Sequence, residues 1–246
     1  MTNLSDLPLR DSLKGRQPYG APQLHVAVAL NVNENTHAIP AEVKADIVAR
    51  ISNAVEQINR YPDREFMALR SKLANYLGAG LSPEQIWAAN GSNEVIQQIF
   101  QAFGGPGRKA MGFEPTYSMY SIIAQGTDTE YARAGRLDRY ELTAEFASAQ
   151  VKLHKPNIVL LCSPNNPTGT PLSLDVIEAV YAATDGIVVV DEAYAEFSAD
   201  GAKSAISLLP GRPRLLVSRT MSKAFAFAGA DRKSTRLNSS HLVLSR

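Results

Sequence analysis

Ile187-Val188-Val189-Val190-Asp191-Glu192-Ala193-Tyr194 runs through four successive aliphatic residues and then turns polar. A strand with one face in water alternates apolar and polar residues. A strand apolar at every position is buried on both faces, as in a parallel sheet covered by helices. Ile158-Val159-Leu160-Leu161 reads the same way and empties into Cys162-Ser163-Pro164-Asn165-Asn166-Pro167-Thr168-Gly169. A third strand, Arg214–Ser218, leads into Arg219-Thr220-Met221-Ser222-Lys223.

Outward from these runs, strands and helices alternate. Strands are expected at Lys109–Phe113, Thr129–Ala132, Asn157–Cys162, Ile187–Asp191 and Arg214–Ser218, with helices at Thr116–Gln125, Leu142–Gln150 and Ser173–Thr184. Upstream, Val43, Ile47, Ile51, Val55 and Ile58 recur at helical spacing between Pro40 and Asn59,. Further helices are expected at Glu65–Leu77 and, opened by Gly91-Ser92-Asn93-Glu94, at Val95–Phe103; Val26–Leu30 reads as a short strand. The alternation predicts an α/β fold, three-layer α/β/α with a mostly parallel sheet. Ligands of such sheets bind beyond the carboxyl ends of the strands, where all three runs become polar.

The 246 residues are 45% hydrophobic and 20% charged, an ordinary globular composition,. A net charge of +1 offers no nucleic-acid footprint,. No apolar stretch is long enough for a membrane span, and the first residues lack the basic-then-apolar order of a secretory signal. A single cysteine, Cys162, excludes an internal disulfide and fits a cytoplasmic setting; at the end of an apolar run it reads as a buried, inert thiol,. His25, His37, His154 and His241 are scattered, so no metal site is expected,.

The strand ends offer a neutral amide, an acid with a phenol, and an amine. Lys223 sits among small and apolar residues, Ala224-Phe225-Ala226-Phe227-Ala228-Gly229, an odd setting for a solvated charge and a suitable one for an imine-forming lysine,. Asp191 closes an aliphatic run, where a carboxylate needs a cation or several donors; a helix cap is the plainer alternative. A protonated pyridine nitrogen is such a cation, and the pair makes the ring an electron sink. Tyr194 and Asn166 could then serve the ring's phenolic oxygen. Gly91-Ser92-Asn93 at a helix start, with the hydroxyls of Thr220 and Ser222, could hold a phosphate, although Ser92 or Asn93 could equally be a plain cap. Tyr117 is either a ring stacked on the ligand or a core aromatic. Together these residues describe a site for pyridoxal 5'-phosphate (PLP).

With the motifs Leu30-Asn31-Val32-Asn33-Glu34-Asn35, Arg60-Tyr61-Pro62-Asp63, Gly91 to Glu94, Glu114-Pro115-Thr116-Tyr117, Ser163 to Gly169, Asp191 to Tyr194 and Ser222-Lys223-Ala224-Phe225, the chain resembles the fold-type I PLP aminotransferases. Within them it is most similar to the histidinol-phosphate aminotransferases. The resemblance implies that Lys223 carries the cofactor as an imine and shuttles the proton, and that Asp191 holds the pyridinium. Asn166 and Tyr194 would hold the ring oxygen, Tyr117 the ring face, and Ser92, Asn93, Thr220 and Ser222 the phosphate. It also implies a homodimer in which Tyr61 reaches the partner's cofactor phosphate, with Tyr19 and Asn33 on the substrate side. The reaction would pass an amino group between L-glutamate and imidazole-acetol phosphate, giving histidinol phosphate and 2-oxoglutarate. An aromatic amino-acid aminotransferase, a threonine-phosphate decarboxylase-like enzyme and a non-catalytic α/β protein remain as alternatives.

The expected organisation is an N-terminal arm (1–35), an incomplete PLP-binding large domain (36–230) and a non-native tail (231–246). The family's phosphate-binding arginine would fall at position 231, which is Asp231; Arg232 is one residue late. The tail carries four basic residues and one acid, and without it 21 basic and 23 acidic residues leave a net charge of −2. Asp231–His241 reads like translated sequencing adapter; a genuine basic tail is the alternative. With the small domain missing, the chain is expected to be unstable or inactive.

Overall fold

The computed structural model describes residues 7–15, 20 and 26–229, and the backbone of 240–245. Seven strands form one sheet: β1 (Ile86–Asn90), β2 (Lys109–Glu114), β3 (Glu130–Gly135), β4 (Ile158–Cys162), β5 (Ile187–Asp191), β6 (Leu215–Thr220) and β7 (Ser240–Ser245), in the spatial order β1-β7-β6-β5-β4-β2-β3. The run from β6 to β3 is parallel, while β7 is antiparallel to both of its neighbours, β1 and β6. Among the described residues, six α-helices accompany it: α1 (Ala41–Val55), α2 (Met67–Leu77), α3 (Gly91–Phe103), α4 (Met119–Gly126), α5 (Ala144–His154) and α6 (Leu174–Ala182).

The continuous aliphatic runs are explained by two cores. On β4 and β5, Val159, Leu161, Val188 and Val190 enter one cluster, with Val176, Ile177 and Val180 of α6. Ile158, Leu160, Cys162 and Val189 point the other way, into a cluster with Ile96, Ile99 and Phe100 of α3 and Tyr120 and Ile123 of α4. The two-residue period of a strand sends successive side chains to opposite faces, so a strand between two helical layers needs an apolar residue at each position. Each such side chain stabilises the fold by about 1.5–3 kcal/mol relative to exposure.

Register fixes the site. Cys162 of β4 lies opposite Asp191 of β5, and Asp191 opposite Ser218 of β6. Three polar or polarisable side chains thus arrive side by side at the carboxyl edge.

One sequence expectation needs correction. Val26–Leu30 forms no strand; Val26, Val28 and Leu30 are exposed, and among the described residues no strand pairs with them. Residues of the expected tail contribute β7, which closes the gap between β1 and β6. Strand β1 was not anticipated at all. Among the described residues, no helix is long and apolar enough to cross a membrane.

Candidate active site

A cleft of about 540 Å³ opens at the carboxyl ends of β4, β5 and β6 and in front of the first turn of α3. Its lining brings together Ser92, Asn93, Tyr117, Asn166, Asp191, Tyr194, Thr220, Ser222 and Lys223 with Asn33 of the N-terminal segment. A larger concavity, about 720 Å³, lies at the opposite ends of the strands around Arg108, Lys152, Lys155 and Asp185. It holds none of the residues singled out for chemistry, so volume does not decide between the two.

Asp191 forms the floor of the cleft and is 2% exposed. One carboxylate oxygen accepts from the Tyr120 hydroxyl at 2.7 Å and the other from the Ser218 hydroxyl at 2.9 Å. Burial raises its pKa above the ordinary carboxylate value, against these two donors, which pull it down. A buried acid held this way gains most from a cation delivered through the cleft.

Tyr194 stands at the mouth. Its hydroxyl accepts from the Asn33 amide at 3.0 Å and from the Asn166 amide at 3.2 Å. Burial raises its pKa, and the Asn33 bond opposes the rise. Asn33 adopts φ 56°, a left-handed conformation that asparagine tolerates better than most residues, and this turn aims its amide across the cleft,. The Lys223 ammonium, 3.1 Å from the Val32 carbonyl, lies on the same side, 5.9 Å from the centre of the Tyr194 ring.

Gly91 opens α3 at φ 84°. A side chain there would be strained, and glycine lets the chain turn from β1 into the helix. Glu94 reaches back to the Asn90 backbone N–H at 2.6 Å. Asn93 accepts from the Tyr117 hydroxyl at 3.1 Å. The remaining first-turn N–H groups of a helix present positive potential to an anion, and the Thr220 hydroxyl, which accepts from the Ser222 N–H at 3.1 Å, stands opposite.

These side chains fit PLP: a lysine for the aldehyde, a buried acid for the ring nitrogen, an amide and phenol for the ring oxygen, and a helix start with hydroxyls for the phosphate. One expected residue falls elsewhere. Tyr61 is fully exposed and does not line the cleft. Tyr19 lies outside the described residues, as do Asp231 and Arg232. Cys162 is buried as expected, with its thiol pushed up to about 12 by desolvation, and it also borders the cleft. Sequence reasoning missed Tyr120, whose helical position reads as core. It also assigned no role to Thr116 and Ser118, which line the cleft between β2 and α4; their place beside Tyr117 was the available signal. Arg219, adjacent to Thr220, turns away and pairs with Glu192 and Glu196, each at 2.9 Å.

The sequence profile of the aminotransferase class I and II family matches residues 26–230. The chain belongs to this family. It is 65% identical over 233 residues to the histidinol-phosphate aminotransferase of Paenarthrobacter aurescens, covering 94% of this chain and 63% of that protein. It is 56% identical to the histidinol-phosphate aminotransferase of Thermobifida fusca, covering 92% of this chain and 62% of that protein. Among solved structures, histidinol-phosphate aminotransferase from Sinorhizobium meliloti in complex with pyridoxal-5'-phosphate superposes with a TM-score of 0.73 at 25% identity, over 87% of this chain and 55% of that one. The chain thus spans about three fifths of the length of the curated relatives it matches.

Proposed function

We propose that this chain is the cofactor-binding part of a PLP-dependent aminotransferase of histidine biosynthesis. Its reaction exchanges an amino group between L-glutamate and imidazole-acetol phosphate, giving histidinol phosphate and 2-oxoglutarate. The observation that carries this reading is the convergence of Lys223, Asp191, Asn166 and Tyr194 in one cleft, in a chain 65% identical to a histidinol-phosphate aminotransferase.

PLP supplies an aldehyde and an electron-withdrawing ring. The chain's own residues supply the rest. Lys223 would provide the amine that holds the aldehyde and, with Nζ free, a base that moves a proton on the substrate carbon. Asp191 keeps the ring nitrogen positive. Asn166 and Tyr194 would donate to the ring oxygen, and Tyr117 would cover one face. Ser92, Asn93, Thr220 and Ser222 anchor the phosphate and so orient the whole group. Asn33, bonded to Tyr194, is the substrate-side residue; Tyr19 is proposed for the same side.

We place the enzyme in the cytoplasm as a homodimer, with Tyr61 serving the partner's phosphate. The full exposure of Tyr61 and the open apolar face of α1 support this. We also propose the division into an arm (1–35), a PLP-binding domain (36–230) and a foreign tail (231–246), which genomic sequence beyond the Ala230 codon tests. Activity is tested by a substrate panel on a gene extended to the relatives' length. Imidazole-acetol phosphate should be preferred to aromatic 2-oxo acids, and the reverse preference selects the aromatic aminotransferase reading. The 246-residue chain should show far lower turnover with glutamate, and turnover comparable to a full-length relative would contradict that.

A further inference from the structure

Tyr120 is 0% exposed and stands in the first turn of α4, directly behind the cleft floor. Its hydroxyl donates to Asp191 at 2.7 Å, and its ring meets the Tyr117 ring edge-on, with centroids 5.5 Å apart and planes at 87°. One side chain therefore touches both the acid assigned to the cofactor's ring nitrogen and the aromatic assigned to its ring face. Phenylalanine would fill the same volume without burying a hydroxyl. A buried hydroxyl is costly unless bonded, and a bond to an ionised acceptor is stronger than one between neutral groups. Ser218 occupies the other carboxylate oxygen from the opposite side. The Ala193 backbone N–H also donates to this carboxylate, and the roughly four lone-pair sites of the two oxygens still leave room for a further donor entering from the cleft.

We propose that Tyr120 is a positioning residue that fixes the orientation of Asp191 and keeps it ionised, and thereby sets how fully the ring nitrogen of the bound cofactor is protonated. The inference rests on the cofactor reading above. A phenol donor favours the carboxylate over the carboxylic acid. It therefore favours the pair in which the proton sits on the ring nitrogen over the pair in which it sits on Asp191. A merely structural tyrosine would support the packing of α4 and influence every ligand of the cleft alike.

The test uses the 246-residue chain and its Tyr120→Phe variant, titrated calorimetrically with PLP and with the 1-deaza analogue, in which carbon replaces the ring nitrogen. Tyr120→Phe should weaken PLP about tenfold, the scale of a lost hydrogen bond to a charged group, and leave the analogue within about twofold. The ring-nitrogen NMR signal of bound, isotope-labelled PLP should move toward that of an unprotonated pyridine. Equal weakening of both ligands, or an unmoved signal, overturns the proposal. Should Tyr120→Phe not fold, 3-fluorotyrosine at position 120 preserves the ring and makes a stronger donor. The signal should then move toward the protonated value, and no movement overturns the proposal. Failure of the unsubstituted chain to bind either ligand would instead remove the cofactor reading itself, and this inference with it.

Discussion

Helices α1 and α6 are built on the same apolar spacing and end in different surroundings. In α6, Val176, Ile177 and Val180 are buried against the sheet and α5. In α1, Val43, Val48, Ile51 and Val55 are exposed, and no residue of the helix is buried. An amphipathic stripe states that a helix needs a partner; it does not supply one. The sheet supplies it for α6. For α1, the described residues do not, and the same holds for Ile58 and Tyr61 just beyond it. The cofactor side of the molecule is thus furnished with its contacts, while the α1 side carries an open apolar face of the kind that marks an interaction surface.

Charge insertion should break this comparison most visibly. Val180→Asp buries an unpaired carboxylate and should unfold the chain, whereas Val55→Asp should alter stability by about 0.5 kcal/mol or less. Circular dichroism melts of the two variants check it; equal losses would mean that α1 is packed after all. Truncation gives a smaller version: Ile177→Ala should cost about 2–5 kcal/mol and Ile51→Ala under about 1 kcal/mol in denaturant titrations. In a longer or dimeric form that covers α1, the Ile51→Ala cost should rise.

The cofactor side carries its own opposing term. Burial raises the pKa of Asp191 in the folded chain above its ordinary value of 3.8. As pH rises through the ordinary value, the unfolded chain gives up this proton first, so folding stability falls until the folded pKa is passed and stays lower above it. Asp191→Asn should therefore raise the melting temperature of the cofactor-free chain at neutral pH, remove that part of the pH dependence, and weaken PLP binding. A lower melting temperature at neutral pH would show that Asp191 is stabilising as it stands. A smaller effect on this side than loss of the Asp191 carboxylate is expected at Gly169, which has φ 71° and open space around a would-be side chain. Gly169→Ala should cost about 1–2 kcal/mol in thermal melts through backbone strain alone, and loosen the loop that carries Asn166.

The central strands and the polar residues at their ends were legible in the sequence because burial on both faces leaves an unmixed signal. Strand β1 was not: Ile86-Trp87-Ala88-Ala89-Asn90 is short, weakly apolar and buried only at Ile86 and Ala88. Val26–Leu30 erred in the other direction, since its valines and leucine read as a strand but lie exposed outside any strand. Tyr120 was invisible for a different reason. An aromatic on a helix reads as core, and the acceptor of its hydroxyl lies 71 residues away. Long-range pairs of this kind, including Asn33 with Tyr194, are properties of the fold and leave no local pattern.

The most direct test of the central claim is to incubate the 246-residue chain with PLP, reduce with borohydride and map the modified peptide by mass spectrometry. The account predicts a single pyridoxyl-phosphate adduct on Lys223, lost in Lys223→Ala. No adduct, or one spread over the surface lysines with Lys223 unmodified, would contradict it.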